Sequence, residues 1–408
     1  MFIVLLCFGF SLQLGEGWEP EVLAPKFAEI ESQYVDVTPN PLFSSPNVQI
    51  AYNAFVNYGG CEVQNPGEGI TSSKLRCTIA QQSKSTTDAG RRVTAGRAFL
   101  TKEVRDLPNF ELRVNAKAKR VTLETTLSSR KATGVEYIDE NGEVRTVTAK
   151  EEILLSAGAF GSPQLLLLSG IGSNYELERA NIPTVFEIPG VGENYQDHAA
   201  VLMFFDVPTN GTAVDENSLE TALSFSAYYR SSFIRDKDDP DIWVAPMFSR
   251  AIDDNTLRVE LLVAVVSNIM SKGTVGLQTT SILDPPKINY GLVHAQEDMD
   301  RLFDAFMFVR DVMERAGATE VLPGGDGRFH GDFDFIRQTV GTLSAAVGTN
   351  AMGEVVDQRL HVKGVSNLRV VDSSVLPVIP NANTQSMAYM VGYHGADLIL
   401  SGDPRPEL

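Results

Sequence analysis

Strand-like apolar runs occupy residues 202–207, 242–249, 258–266 and 274–279, with polar loops between them, so the chain from 201 to 283 reads as a set of β-strands. Residues 110–123 and 132–137 have the same character. Asn141 and Gly142 give a hairpin-turn signal that leads into a further strand at 144–148. Helical spacing takes over in residues 297–315, where Met299, Leu302, Phe303, Phe306, Val309 and Met313 share one side. That stripe predicts a core-facing helix and not a ligand site. Near the start, Leu23, Phe27 and Ile30 predict a short helix after the turn at Gly17, and residues 51–56 predict part of another. The polar, Gly-rich stretch from 58 to 87 separates these helices from the strands.

Two segments change period within themselves. Residues 151–172 (EEILLSAGAFGSPQLLLLSGIG) read as a buried strand, a glycine turn and a helix, with Ser162 as the expected cap and Pro163 in the first turn. Gly158 would let backbone approach a neighbour or ligand closely. Residues 360–400 begin with a strand at 367–372 ending on Asp372. A small-residue turn (Ser373, Ser374) and a loop bounded by Pro377 and Pro380 follow. A closing helix then carries Met387, Met390, Val391, Ala396 and Leu398, with Asn381, Asn383 and Thr384 expected to supply its N-cap. Strand, acid, polar loop and helix start can bring backbone N–H groups to a bound cofactor. They can equally close a sheet.

Composition sets outer bounds. A chain of 408 residues is long for one core and suggests two domains, possible interleaving included. The net charge of −18 argues against nucleic acid and anionic membranes as partners. Cys7, Cys61 and Cys77 lack metal-ligand spacing, and no metal site is expected. Cys61 and Cys77 either pair, in a secreted protein, or stay as thiols. The apolar run from Phe2 to Phe8 is too short to span a bilayer. It reads as a signal-peptide core lacking a basic start, or as a buried strand. Secretion would follow from the first reading, and the sequon at Asn210 is compatible with it. Arg91, Arg92 and Arg97, near two glycines, could hold a phosphate or pair with surface acids.

The two period-changing segments carry a resemblance. Residues 360–400 are similar to the run HGVxxLRVVDASVxPxxxxxNTxxxxxMxGxxxADLI of the glucose–methanol–choline (GMC) oxidoreductases, flavin-dependent alcohol oxidases and dehydrogenases. Residues 158–172 resemble that family's GAxxSPxLLxxSGIG signature, and 189–198 (PGVGENYQDH) its PGVGxNLQDH run. Further similarity lies at 17–31, 90–100 and 272–288. The resemblance implies an α/β (α+β) fold in which an FAD-binding, Rossmann-like domain is interleaved with an antiparallel-sheet substrate domain. The implied division is an apolar N-terminal segment (1–16), FAD-binding parts (17–200), a substrate-binding domain (201–345) and a return to the FAD-binding domain (346–408). It implies FAD as cofactor and a small-molecule alcohol as substrate. The cofactor-binding positions it implies are Ala118, Gly158, Asn194, Asp372, Ser373, Asn383 and Thr384. Many relatives carry valine at the position of Ala118.

Two departures limit what the resemblance carries. Alcohol oxidation needs an acceptor for the hydroxyl proton. The family places a histidine in an HxxGTCxMG motif, and here residues 345–353 read AAVGTNAMG, with Ala345 in the base position. Asn383 matches the second catalytic position. The family also opens on a strand–GxGxxG–helix unit, and no GxGxxG occurs in the 408 residues, so the Rossmann-like domain is expected to be incomplete, with an exposed apolar sheet edge. Three functions follow. One is an FAD-dependent oxidoreductase acting on CH–OH groups, impaired or incomplete. Another is a non-catalytic homologue that binds a small molecule. The third is a different flavin reaction that needs no histidine base.

Overall fold

The computed structural model describes residues 15–35, 37–39, 41–59, 61–64, 77–81, 83–85, 93–212, 220–221, 225–233, 240–324, 329–381 and 383–402. Helix α1 (Pro20–Gln33) has proline in its first turn and buries Leu23, Phe27 and Ile30, the three positions that helical spacing marks. Helix α2 (Pro46–Asn57) is capped by the Ser45 hydroxyl, which accepts the Val48 N–H. Strands β1 (Cys61–Gln64) and β2 (Cys77–Gln81) run parallel, with Cys61 opposite Cys77 and the two joined as a disulfide. Strands β3 (Lys117–Thr125), β4 (Arg130–Ile138) and β5 (Val144–Thr148) form an antiparallel meander. Its second turn falls at Asn141 and Gly142, as the sequence signal expects. Strand β3 starts only at Lys117, later than expected, because residues 106–109 and 111–116 are exposed and no buried face forces them into a sheet.

Strand β6 (Ile153–Leu155) leads into helix α3 (Gly158–Leu168). Four long or medium strands follow: β7 (Ala199–Pro208), β8 (Phe225–Tyr229), β9 (Ile242–Asp253) and β10 (Thr256–Val265). Helix α4 (Gln296–Arg315) precedes β11 (Thr319–Leu322), and α5 (Asp332–Thr339) comes after it. The chain closes with β12 (Leu368–Val370) and helix α6 (Gln385–Leu400). The expected strand at 274–279 shortens to Thr274–Gly276.

The large sheet runs β11-β7-β10-β9-β8-β2-β1, with two short strands paired beside this path. Alternation divides its faces. Val201, Met203 and Phe205 of β7 and Val259, Leu261 and Val263 of β10 are buried in one cluster with Met299, Leu302, Phe306 and Val309 of α4. Each such side chain contributes about 2 kcal/mol by leaving water. The opposite face carries a second cluster, Ala200, Trp243, Ala245, Leu262, Ala264 and Val266, against which Leu202, Tyr228, Met247 and Leu343 pack.

β6 and β12 pair in parallel, Ile153 opposite Leu368 and Leu155 opposite Val370. Among the described residues no strand covers the other edge of β6, and Leu154 is 46% exposed. No helix among the described residues is long and apolar enough to cross a membrane. The apolar run at 2–8 and Arg91 and Arg92 lie outside the described residues.

Candidate functional site

The site begins where β6 ends. Gly158 takes φ +76°, a conformation that side-chain-bearing residues rarely adopt, while the space a Cβ would fill is open. The glycine is needed for backbone direction, and not, as its sequence context suggests, for a close approach. Its N–H donates to Asp372 Oδ2 (3.0 Å), and Ser162 Oγ donates to the same oxygen (2.5 Å) while accepting the Ala157 N–H (3.0 Å). Ser162 thus lies inside α3, whose N-cap is Ala157, and Asp372 from the far end of the chain closes the helix N-terminus. A carboxylate there answers the positive end of the helix dipole.

One loop gathers the neighbouring positions. Ala346 O accepts the Ser373 hydroxyl (3.2 Å), Gly348 O accepts Asn194 Nδ2 (3.4 Å), and Thr349 Oγ1 donates to Ala159 O (2.7 Å). Asn350 adds bonds to Ser374 through backbone (2.9 Å) and side chain (3.0 Å). Gly348, at φ +91°, is required by crowding as well, since a Cβ would stand 2.3 Å from Asn194 O. Gly158, Asn194, Asp372 and Ser373 therefore meet in one bonded network.

The remaining positions stand outside it. Ala118 lines an apolar cleft of 210 Å³ with Val121, Ile153, Leu155, Ala157 and Leu165, along the open edge of β6. Asn383 is exposed, and its carbonyl accepts the Ser386 hydroxyl (3.2 Å). Thr384 is the N-cap of α6 but makes no side-chain cap bond. Its backbone is already helical, so its hydroxyl is not aimed back at the first turn.

Ala345 is 3% exposed, and its N–H donates to both oxygens of Asp197 (3.1 Å each). None of the five histidines occupies that position. His198 is buried, its Nε2 bonded to Pro380 O (3.0 Å), and burial pushes its pKa down to about 4, so it is neutral at pH 7. His361 pairs with Asp357 (3.2 Å), His394 packs edge-on to Trp18, and His294 and His330 are exposed. Burial also raises the pKa of Asp197, against the pull of the N–H groups it accepts. Sequence reasoning passed over Asp197. The signal was an acid inside an otherwise apolar and amide-rich run. Among the described residues no cluster of acids, histidines and cysteines could hold a metal.

The cleft suits a flat, weakly polar ring. The backbone beside it does not suit phosphates: the N–H at the start of α3 is taken by Asp372, and Arg120 at the cleft is paired with Glu136 (2.7 and 2.9 Å). The residues described thus fit the adenine end of FAD and not its pyrophosphate.

Comparison with known proteins decides the family. Residues 13–200 match the N-terminal family model described as GMC oxidoreductase, and residues 270–392 match the C-terminal one. The chain belongs to the GMC oxidoreductase family. Its relatives include an oxygen-dependent choline dehydrogenase of Vibrio vulnificus, 30% identical over 78% of this chain and 61% of that one. A glucose methanol choline oxidoreductase of Aspergillus terreus is 32% identical over 82% of this chain and 60% of that one. The chain thus spans about 60% of the length of these curated relatives. The fold matches formate oxidase of Aspergillus oryzae, a structure that concerns FAD modification, with TM-score 0.80 and 20% identity over 97% of this chain and 81% of that one. FAD is the cofactor of this GMC family.

Proposed function

We propose that this GMC-family chain is an FAD-dependent oxidoreductase acting on the CH–OH group of a small alcohol. The observation that carries the reading is the meeting of Gly158, Asn194, Asp372 and Ser373 around the 346–350 loop, in a chain matched by both family models. In such chemistry bound FAD would supply the hydride acceptor for the alcohol carbon. Ala118 and the backbone of 156–157 would face the adenine end in the apolar cleft. Asn383 would orient the substrate oxygen through its amide. Ala345 can take no proton, so the hydroxyl proton would leave to water.

A second reading is favoured by that methyl group. A site with alanine at position 345, and with the neighbouring His198 turning its Nε2 to Pro380 O, suits a protein that binds a small alcohol without oxidising it. Purified protein, mixed with FAD and washed, distinguishes the two under anaerobic choline or benzyl alcohol. Bleaching of a retained flavin band supports the oxidoreductase. Ligand affinity with an unbleached band supports the binding protein and sinks the first reading.

A further inference from the structure

Asn194 sits in a left-handed bend (φ +58°), and from it the side chains of 194–198 face two loops. On one side Asn194 Nδ2 and Gln196 Nε2 donate to Pro377 O (3.0 and 2.8 Å), Gln196 Oε1 accepts the Ile379 N–H (3.3 Å), and His198 Nε2 donates to Pro380 O (3.0 Å). On the other side Tyr195 packs between Phe160 and Tyr290, and Asp197 faces the turn at 343–345. Asp197 is 2% exposed. It accepts the N–H groups of His198 (2.8 Å), Leu343 (3.2 Å) and Ala345 (3.1 Å) and the Tyr195 hydroxyl (3.1 Å).

The turn it faces is strained. Ser344 has φ +56°, in the left-handed region that disfavours residues with a Cβ. The two N–H groups that flank Ser344 converge on one carboxylate, an anion-in-nest arrangement. A buried carboxylate with several N–H donors holds such a turn more firmly than a neutral acceptor does.

We propose that Asp197 is a positioning residue: its carboxylate fixes the 343–345 turn, and so sets position 345 across the 194–198 segment from the 377–380 loop that leads to Asn383. Its meaning for catalysis rests on the oxidoreductase reading, whereas its geometry does not. An Asn at 197 has the same shape but loses the charge, and its NH2 stands where Oδ2 accepts the Ala345 N–H and the Tyr195 hydroxyl.

The test is hydrogen exchange by mass spectrometry on the full chain without added flavin, comparing wild type, Asp197→Asn and the double variant Asp197→Asn/Ser344→Gly. Asp197→Asn is expected to speed exchange in peptides covering 341–347 about tenfold, with β10 and α4 peptides unchanged. The glycine, free to adopt a left-handed turn unaided, is expected to restore most of the protection. Unchanged exchange at 341–347, or exchange rising equally in β10 and α4, or no recovery in the double variant, overturns the proposal. Because the readout needs no flavin, an inactive chain would sink the oxidoreductase reading and leave this one to its own result.

Discussion

At position 345 the chain places a buried methyl group where family resemblance expects a proton acceptor. If the reading of the site is right, Ala345→His should speed anaerobic flavin reduction by benzyl alcohol by about a hundredfold, the usual contribution of a placed base. Stopped-flow absorbance checks this, and no gain in a folded variant counts against the position. Asn383→Ala should slow whatever reduction remains by about tenfold. His198 offers a different check. Its folded pKa lies below the unfolded value, so the unfolded state binds more protons between the two. Stability should therefore be full above about pH 6.5 and decline as pH falls toward about 4. A His198→Gln variant should show a flatter urea midpoint across that window, and an equal slope in both proteins would refute the burial argument.

At the scale of elements, helix α3 depends on an acid 214 residues away from its first N–H. Asp372→Ala leaves the Gly158 N–H and the Ser162 hydroxyl without their acceptor, and should cost about 2–3 kcal/mol in chemical denaturation. The elements themselves were largely legible. Leu23, Phe27 and Ile30 marked α1, and the Met299-to-Met313 stripe marked α4, because one buried face at helical spacing leaves its trace in sequence. Caps were less legible. Ser162 and Thr384 look like caps in the sequence, but capping is a matter of backbone angle and of what stands opposite. For α3 the answer came from Asp372, and no local pattern encodes that. The same holds for Asp197, whose role depends on a loop almost 150 residues further on. Gly158, Asn194, Asp372 and Ser373 were found together only because a family motif marked each of them.

On the scale of the whole molecule, the large, mostly antiparallel sheet carries an apolar cluster on each face, one of them packed against α4, whereas β6 and β12 make a two-stranded parallel pair with no further strand beside β6 among the described residues. The Cys61–Cys77 disulfide ties the far end of the large sheet. Alkylation without reductant should leave Cys61 and Cys77 unmodified, and both should be modified after reduction in denaturant, as read by peptide mass. Modified Cys61 and Cys77 in the native, unreduced protein would contradict the pairing.

The central claim is that this GMC-family chain works as a flavin-dependent alcohol oxidoreductase. The visible spectrum of the folded protein, after loading with FAD, washing and anaerobic addition of an alcohol, tests it most directly. The account expects a flavin band that stays with the protein and bleaches with the alcohol. Folded protein that retains no flavin, or retains a band that no alcohol bleaches, would contradict it.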